Sequence, residues 1–331
     1  LHNVAHSFPT RRSSDLAAAV RAKVAATILG SFASTGTFDS DGPFTVASGG
    51  AFDLGAGTHR FGASFATAAG TLSFLPGARV VFDGATPSAP SAADALPDVE
   101  AAKSGGVALV LANLAIGGDL ALVSGRLSTG AGVVVTGDLL ASGGVLTAAD
   151  PNVPLVVQGA VVFSGATAEA PAIETAGDFT SDASFLPTGG TIGLSGPGSR
   201  QIHGAGLFGE ANLVLRDGQT VATGSIHVDG DFTVLAPALF DASANTHFFG
   251  GDFLCLGQLG PDGAYQFEAL VDQTVVSVAP LPALNVNKSG GATLRTGDSA
   301  TAPTLTVANL FMSFGRLIVG ANTTLAVLTD A

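Results

Sequence analysis

The residues best placed to do chemistry are four aspartates in the second half of the chain: Asp229, Asp231, Asp241 and Asp252. Carboxylate oxygens are the ligands that a hard cation such as Ca²⁺ prefers. If the chain coils with about 20 residues per turn, Asp231 and Asp252 lie on adjacent turns roughly 5 Å apart, close enough to share an ion. The alternative is that they accept hydrogen bonds from turn backbone, the ordinary role of an aspartate beside a turn.

Two histidines occur in the same motif, Thr-His-x-Phe-x-Gly, as His59 and His247. Imidazole can act as a metal ligand or as an acid–base group near neutral pH. Whether each ring points inward with the phenylalanine two residues later depends on the local pleat, which a bulge would change. We expect a repeated histidine at the surface or at a corner of the coil rather than a ligand. His203 has no acidic partner nearby in sequence and receives the same interpretation.

Nucleophilic and phosphate-transfer chemistry finds no support in the motifs. There is no Gly-x-Ser-x-Gly elbow, and glycine-rich pieces such as Gly196-Pro197-Gly198 do not open a helix. The enzymatic alternative is a polysaccharide lyase or hydrolase on a β-helix, which needs carboxylates grouped with arginine or lysine in a groove. The basic residues are instead scattered singly along the chain: Arg60, Arg79, Lys103, Arg126, Arg200, Arg216, Lys288, Arg295 and Arg316. We therefore predict no catalytic residues and no cofactor.

The single cysteine, Cys255, lies among Phe253, Leu254 and Leu256. This apolar setting favours a small buried side chain, although a reactive thiol is the alternative. With one cysteine, no disulfide can form within the chain.

The elements that must position these residues are short strands, because short apolar runs alternate with clusters of Gly, Ser, Asn and Asp. A Gly-Asp-Leu/Phe motif recurs between these strands, beginning at glycines 118, 137, 177, 230 and 251, with successive spacings of 19, 40, 53 and 21 residues. Three of these spacings are close to multiples of about 20, the length of one turn of a parallel β-helix. Only Leu16 to Leu29 favours a helix, which is either a short cap or a consequence of the non-native residues that precede it.

A second, longer repeat overlies the first. Residues Asp41 to Phe65 align without a gap on Asp229 to Phe253 at an offset of 188, with 13 identities in 25 positions. Lys-Ser-Gly-Gly recurs at lysines 103 and 288, and Gly-Arg-Leu at glycines 125 and 315, in the same order. Duplication of a long module is how extended arrays grow. Within the aligned segments, Pro43 and Ser64 stand where the second copy has Asp231 and Asp252, so we predict backbone capping there and no metal site.

These motifs carry a family resemblance. The run Gly230-Asp231-Phe232-Thr233-Val234, then Thr246-His247-Phe248-Phe249-Gly250, then Leu284 to Gly291, resembles the β-helix repeats of large bacterial surface proteins of adhesin-like and autotransporter-like type. The resemblance spans most of residues 30–331. It implies export, a location outside the cell or at its outer membrane, and a scaffold role with a carbohydrate or protein ligand that the sequence does not identify.

The composition argues against several other classes of protein and of fold. The net charge of −13, from 13 Lys+Arg against 26 Asp+Glu, disfavours nucleic acids and anionic lipid. With 47% hydrophobic and 12% charged residues, the chain should fold rather than stay disordered. No apolar run approaches the roughly 18 to 20 residues of a membrane-spanning helix. Tandem β-sandwiches are the alternative fold, but they would repeat at about 100 residues, whereas this chain repeats at about 20 and has no Trp.

The first residues differ in character from the rest. His6 to Leu16, HSFPTRRSSDL, resembles the in-frame translation of a sequencing-library adapter, so we leave residues 1–16 out of fold reasoning and assign no function to Arg11 and Arg12. We predict a flank at 17–40, a first module at 41–228 and about half of a second at 229–331.

The sequence therefore predicts an all-β chain, a right-handed parallel β-helix with rungs of about 20 residues, each rung being one full turn. Apolar residues fill its interior, and Pro87 to Pro97 leaves the coil as a loop where a binding surface could sit. We expect a non-catalytic structural or adhesive role and end-to-end self-association through open strand edges.

Overall fold

The computed structural model describes residues 20–23, 25–34, 36–67, 70–92, 94–204, 208–297 and 304–328. In these residues the chain is all β, with parallel strands stacked in about 15 turns at a spacing of about 20 residues and with no helix. The helix predicted over Leu16 to Leu29 is wrong where it is described, because Val20–Ala22 and Ala26–Ile28 are strands. The adapter-like segment lies outside the described residues.

The chain divides into two compact units, which meet in sequence between Gln158 and Gly159. The module boundaries predicted at residues 41 and 229 come from the sequence repeat and not from these compact units, and they stay a prediction. The strands of the first unit are β1 (Val20–Ala22), β2 (Ala26–Ile28), β3 (Ser31–Ser34), β4 (Phe38–Ser40), β5 (Phe44–Val46), β6 (Ala51–Leu54), β7 (Thr58–Phe61), β8 (Phe65–Thr67), β9 (Thr71–Phe74), β10 (Arg79–Phe82), β11 (Asp98–Ala102), β12 (Ala108–Leu111), β13 (Leu114–Ile116), β14 (Leu120–Ser124), β15 (Arg126–Thr129), β16 (Val133–Val135), β17 (Leu139–Ala141), β18 (Val145–Ala148) and β19 (Leu155–Val157).

In the first unit most strands pair in parallel with the strand three places further along, so three strands make one rung. One sheet runs β1-β4-β7-β10-β11-β14-β17, and the other two faces are formed by β2-β5-β8 followed by β12-β15-β18 and by β3-β6-β9 followed by β13-β16-β19. Register steps such as Val20 to Phe38 and Val99 to Leu120 measure the rung directly. A rung cannot bury its inward side chains alone, so stacking is what builds the core.

The second unit repeats this plan. Its strands are β20 (Val161–Phe163), β21 (Thr167–Glu169), β22 (Ala172–Thr175), β23 (Phe179–Ser181), β24 (Thr191–Leu194), β25 (Ser199–Gly204), β26 (Asn212–Leu215), β27 (Gln219–Ala222), β28 (His227–Val228), β29 (Phe232–Val234), β30 (Leu239–Asp241), β31 (Thr246–Phe249), β32 (Phe253–Cys255), β33 (Gln258–Leu259), β34 (Ala264–Phe267), β35 (Gln273–Ser277), β36 (Leu281–Asn287), β37 (Thr293–Thr296), β38 (Thr304–Phe314), β39 (Arg316–Ile318) and β40 (Thr324–Val327). Its sheets run β20-β23-β25-β27-β30-β33, β22-β24-β26-β29-β32-β35-β37-β39 and β28-β31-β34-β36-β38-β40.

The core explains which positions the long repeat retains. In the first copy, Phe44 and Phe52 lie 4.8 Å apart between ring centroids, and their counterparts Phe232 and Phe240 lie 5.1 Å apart. All four rings are buried. Alternating residues of a strand point to opposite faces, and the phenylalanines that both copies retain all lie on the inward face.

The segment Pro87 to Pro97 was predicted to leave the coil as a loop. None of its described residues belongs to a regular strand, but Ser88, Ser91 and Leu96 each make an isolated parallel bridge to a neighbouring rung. Ser88 and Leu96 are also buried. The insertion therefore lies against the coil rather than projecting from it.

Candidate functional site

The predicted aspartate pair lies on adjacent rungs, because Phe232 of β29 pairs with Phe253 of β32. Each carboxylate caps the backbone of the rung that follows. Asp231 Oδ1 accepts the Asp252 amide N–H at 2.9 Å, and Asp252 Oδ1 accepts the Thr274 amide at 2.7 Å. One rung earlier, the side-chain oxygen of Asn212 accepts the Asp231 amide at 2.9 Å. These side chains form a ladder that runs across the rungs.

The first unit uses the same ladder. Asp98 accepts the Asp119 amide at 3.0 Å, and Asp119 accepts the Asp138 amide at 2.8 Å. Ser64, which stands at the position of Asp252, accepts the Ala89 amide through its hydroxyl oxygen at 2.9 Å. A neutral hydroxyl can therefore replace the carboxylate. The prediction that these side chains cap backbone N–H groups is confirmed, and the position requires an acceptor rather than a charge.

The other two aspartates are used elsewhere. Asp241 Oδ1 accepts the amide of Ser243 at 2.9 Å within its own turn, and Asp229 lies beside His227. Around Asp231 and Asp252 the surface forms a shallow depression of about 280 Å³. No group of three or more His, Cys, Asp or Glu side chains in the described part of the chain is arranged to hold a metal ion.

His59 and His247 were predicted to lie at the surface or at a corner of the coil, and the surface position is wrong, whereas each ring does contact a corner. Both rings are fully buried and point inward with the neighbouring phenylalanines. Each Nε2 bonds a carbonyl at a preceding corner of the coil, Gly55 O at 2.9 Å and Ala242 O at 2.8 Å. Burial lowers the pKa of both imidazoles. Burial therefore favours the neutral form of both rings, and each ring stabilises the backbone of the corner whose carbonyl it contacts.

His203 is partly exposed and has an acidic neighbour that the sequence did not indicate. Its Nε2 lies 3.9 Å from Asp178 Oδ2, and its Nδ1 lies 3.2 Å from the Thr223 hydroxyl. Asp178 is 25 residues away in sequence but only one rung away in space, because Phe179 pairs with Ile202.

Two buried lysines are the polar residues that sequence reasoning missed. Lys103 and Lys288, the equivalent lysines of the Lys-Ser-Gly-Gly motif, are each 1% exposed. The ammonium of Lys103 donates to Gly62 O at 3.0 Å, Asp83 O at 2.7 Å and the Ser88 hydroxyl. Lys288 donates to Val271 O at 2.6 Å and to the side chain of Gln273. Burial lowers the pKa of Lys103 to about 8 and lowers that of Lys288 as well.

The lysines also explain why Gly-Arg-Leu recurs at a fixed distance from Lys-Ser-Gly-Gly. A bulge shifts the register immediately before each lysine, at Ala101/Ala102 and at Val286/Asn287. On the next rung, Gly125 has φ +83°, and a Cβ there would lie 2.6 Å from Lys103 Cβ. Gly315 packs against Lys288 in the same way, with φ +92°. Both motifs therefore belong to one structural unit, and its signal in the sequence was their shared order.

Cys255 is buried, as predicted. Burial raises the pKa of its thiol to about 11, so the reactive thiolate is disfavoured. Arg200, one of the scattered basic residues, is only 1% exposed and donates from Nη2 to Gly196 O, with Asp217 Oδ1 at 3.8 Å. Both side chains are therefore buried inside the second unit, where Cys255 packs in the core and Arg200 binds the backbone.

Beside the insertion of the first unit lies a cleft of about 620 Å³ between Thr71–Gly77 and Asp94–Pro97. Leu75 and Pro76 expose apolar surface there, and Asp94 is the one ionisable side chain in its lining. The cleft is located where a binding surface was predicted. It lacks the grouped carboxylates and basic residues that glycoside chemistry requires.

The fold and these contacts define the chain as a parallel β-solenoid whose polar interior residues serve the backbone. Comparison with family models, curated proteins and solved structures finds no match for this chain. In the residues that the structure describes, no helix is both long and apolar enough to span a bilayer.

Proposed function

We propose that this chain is a non-catalytic structural and adhesive segment of a protein that is secreted or held at the bacterial cell surface. The observation that carries the proposal is the use of its polar groups. The aspartates of the ladder, the two buried histidines and the two buried lysines are each engaged by backbone of the coil. The likeness of its repeats to adhesin-like β-helices adds support for export.

Repetition supports the structural part of the role. Several rungs share inward apolar packing and side-chain capping of the next rung, so an array can be lengthened by duplication without a new kind of core. The outward faces are not constrained in this way. Binding can therefore evolve on an outer face while the interior stays constant.

End-to-end self-association through strand edges is part of this proposal. In β38, Phe311, Met312 and Phe314 are each at least half exposed. An uncovered strand with apolar side chains is a template for another strand. Sedimentation velocity over a concentration series tests this, and a monomer at every concentration would remove the idea.

Two assays separate the adhesive role from the enzymatic alternative, a polysaccharide lyase or hydrolase. Beads coated with the purified chain should attach to surfaces bearing extracellular-matrix proteins or glycans more than uncoated beads do. A panel of acidic and neutral polysaccharides incubated with the same chain should show no new reducing ends and no unsaturated product. Sustained polysaccharide cleavage would overturn the proposal in favour of the enzyme, and attachment no greater than that of uncoated beads would remove the adhesive part.

A further inference from the structure

The outer face of β28, β31 and β34 carries a cluster that the sequence did not single out. Its members are His227, Asp229, Phe248, Gln266 and Glu268, which we call the His227 face. The Nε2 atom of His227 lies 3.3 Å from Asp229 Oδ1 and 3.4 Å from Glu268 Oε1. The ring of Phe248, on the next rung, lies 5.5 Å from that of His227. Gln266 Nε2 donates to the other Glu268 oxygen at 2.9 Å.

The cluster is accessible from solvent. The side chains of His227, Asp229 and Glu268 are 38%, 54% and 28% exposed. An imidazole Nε2 carries at most one N–H, so it can donate to only one of these two carboxylates at a time. One carboxylate therefore keeps unused acceptor capacity beside an aromatic ring.

The first copy of the repeat shows what binds at these positions. Asp41, the counterpart of Asp229, is bound by Arg21, whose Nη2 lies 3.2 Å from Asp41 Oδ2. Asp83 holds the position of Glu268, and Arg60 Nη1 lies 2.9 Å from Asp83 Oδ2. Each carboxylate of this face in the first copy is therefore neutralised by an arginine of the chain itself.

The second copy retains the counterparts of Asp41 and Asp83, but His227 stands where the first copy has Asp39, and in the described residues no arginine lies against either retained acid. Phe248 stands at the position of Arg60. The matching strand pairs, Phe61 with Phe82 and Phe249 with Phe267, place Glu268 where the first copy has Asp83, two residues beyond the residue paired with that position. Among the described residues, His227 is the one basic side chain within 4 Å of Asp229 or Glu268. An acidic position that is kept after its arginine is lost is complementary to an arginine supplied from outside.

We propose that the His227 face binds an arginine side chain of a partner protein. A guanidinium matches a carboxylate with two parallel N–H groups and stacks on an aromatic ring. Phe248 supplies the ring, and Gln266 fixes the orientation of Glu268. Lysine fits less well because its ammonium is a compact, strongly hydrated charge without the planar fork. The chain's net charge of −13 attracts such a partner from a distance.

This proposal deepens the adhesive role and rests on it. The test is calorimetric titration of the full chain with a hexa-arginine peptide at physiological salt, with a hexa-lysine peptide in parallel. Hexa-arginine should bind more tightly than hexa-lysine. Phe248→Ala and the double variant Asp229→Asn/Glu268→Gln should each weaken hexa-arginine binding about 10-fold, the size expected for a lost charge-assisted or cation–π contact. Equal binding of the two peptides would contradict recognition of a guanidinium.

Two further variants sharpen the experiment. Asp150→Asn removes one negative charge from an exposed turn of the first unit and should leave binding unchanged, which controls for non-specific attraction. Phe248→Arg introduces the residue that the first copy has at this position and should abolish binding by re-forming an internal ion pair. Unchanged circular dichroism spectra establish that each variant is folded.

The outcomes are distinct. If the variants of the His227 face bind hexa-arginine with the same affinity as Asp150→Asn, the arginine proposal is overturned. The adhesive role is tested separately, and it stands if beads coated with the chain still attach. If a neutral oligosaccharide binds instead and Phe248→Ala abolishes that binding, the partner is a glycan and the arginine proposal is wrong.

Discussion

Replacing Asp252 distinguishes a backbone cap from a metal ligand. Asp252→Asn keeps a side-chain oxygen able to accept the Thr274 amide and removes the charge, whereas Asp252→Ala removes both. The difference between the two variants therefore isolates the hydrogen bond. An exposed cap of this kind contributes about 1 kcal/mol, so Asp252→Asn should be more stable than Asp252→Ala by about that amount.

The charge has a separate effect. Carboxylates of Asp231 and Asp252 on adjacent rungs, roughly 5 Å apart, repel each other by up to about 0.8 kcal/mol in water, and salt reduces this repulsion. Asp252→Asn should therefore equal the parent chain or exceed its stability slightly at low salt. The structure already contains this substitution one rung earlier, where Asn212 caps the Asp231 amide.

Urea unfolding followed by circular dichroism, with and without millimolar Ca²⁺, measures both effects. Ser64→Ala, which deletes the neutral acceptor of the first copy, is the matched control and should lose a similar amount without any dependence on salt. Equal stability of the Asn and Ala variants would refute the capping argument. Stabilisation of the parent chain by Ca²⁺ that disappears in Asp252→Asn would establish a metal site instead.

Three further predictions concern the interior. Gly125→Ala should cost at least about 2 kcal/mol more than Gly105→Ala, because both have positive φ but only Gly125 packs against Lys103, and thermal unfolding compares them. A pKa of about 8 rather than 10.5 means that folded Lys103 binds fewer protons than the unfolded chain between these values. Stability should therefore rise with pH across that window, by up to about 3 kcal/mol relative to a Lys103→Met variant measured at each pH. Because burial lowers the pKa of His247 below 6.5, its stabilising contribution is present above pH 6.5 and is lost as the pH falls through the folded value, and His247→Phe should show a smaller acid-induced loss in the same measurement.

The repeated fold was accessible from the sequence because its determinants are local. Alternation of apolar and polar residues predicts strands, Gly and Asp predict the turns between them, and a spacing near 20 residues predicts the rung. The 188-residue offset was visible because inward positions such as Phe44 and Phe232 tolerate little change in a packed core. Capping by Asp231 and Asp252 followed from their position beside a turn.

What the tertiary structure decided was the environment of each polar side chain. The chemistry of His59 depends on a corner carbonyl that faces the interior, and that of Lys103 on carbonyls 20 and 41 residues away. Neither contact is encoded by a local pattern, because the register between rungs brings these groups together. His227 likewise meets Glu268 only after the chain has passed through two further rungs. Sequence alone therefore specified the coil, whereas stacking specified which side chains are buried and which remain on its surface.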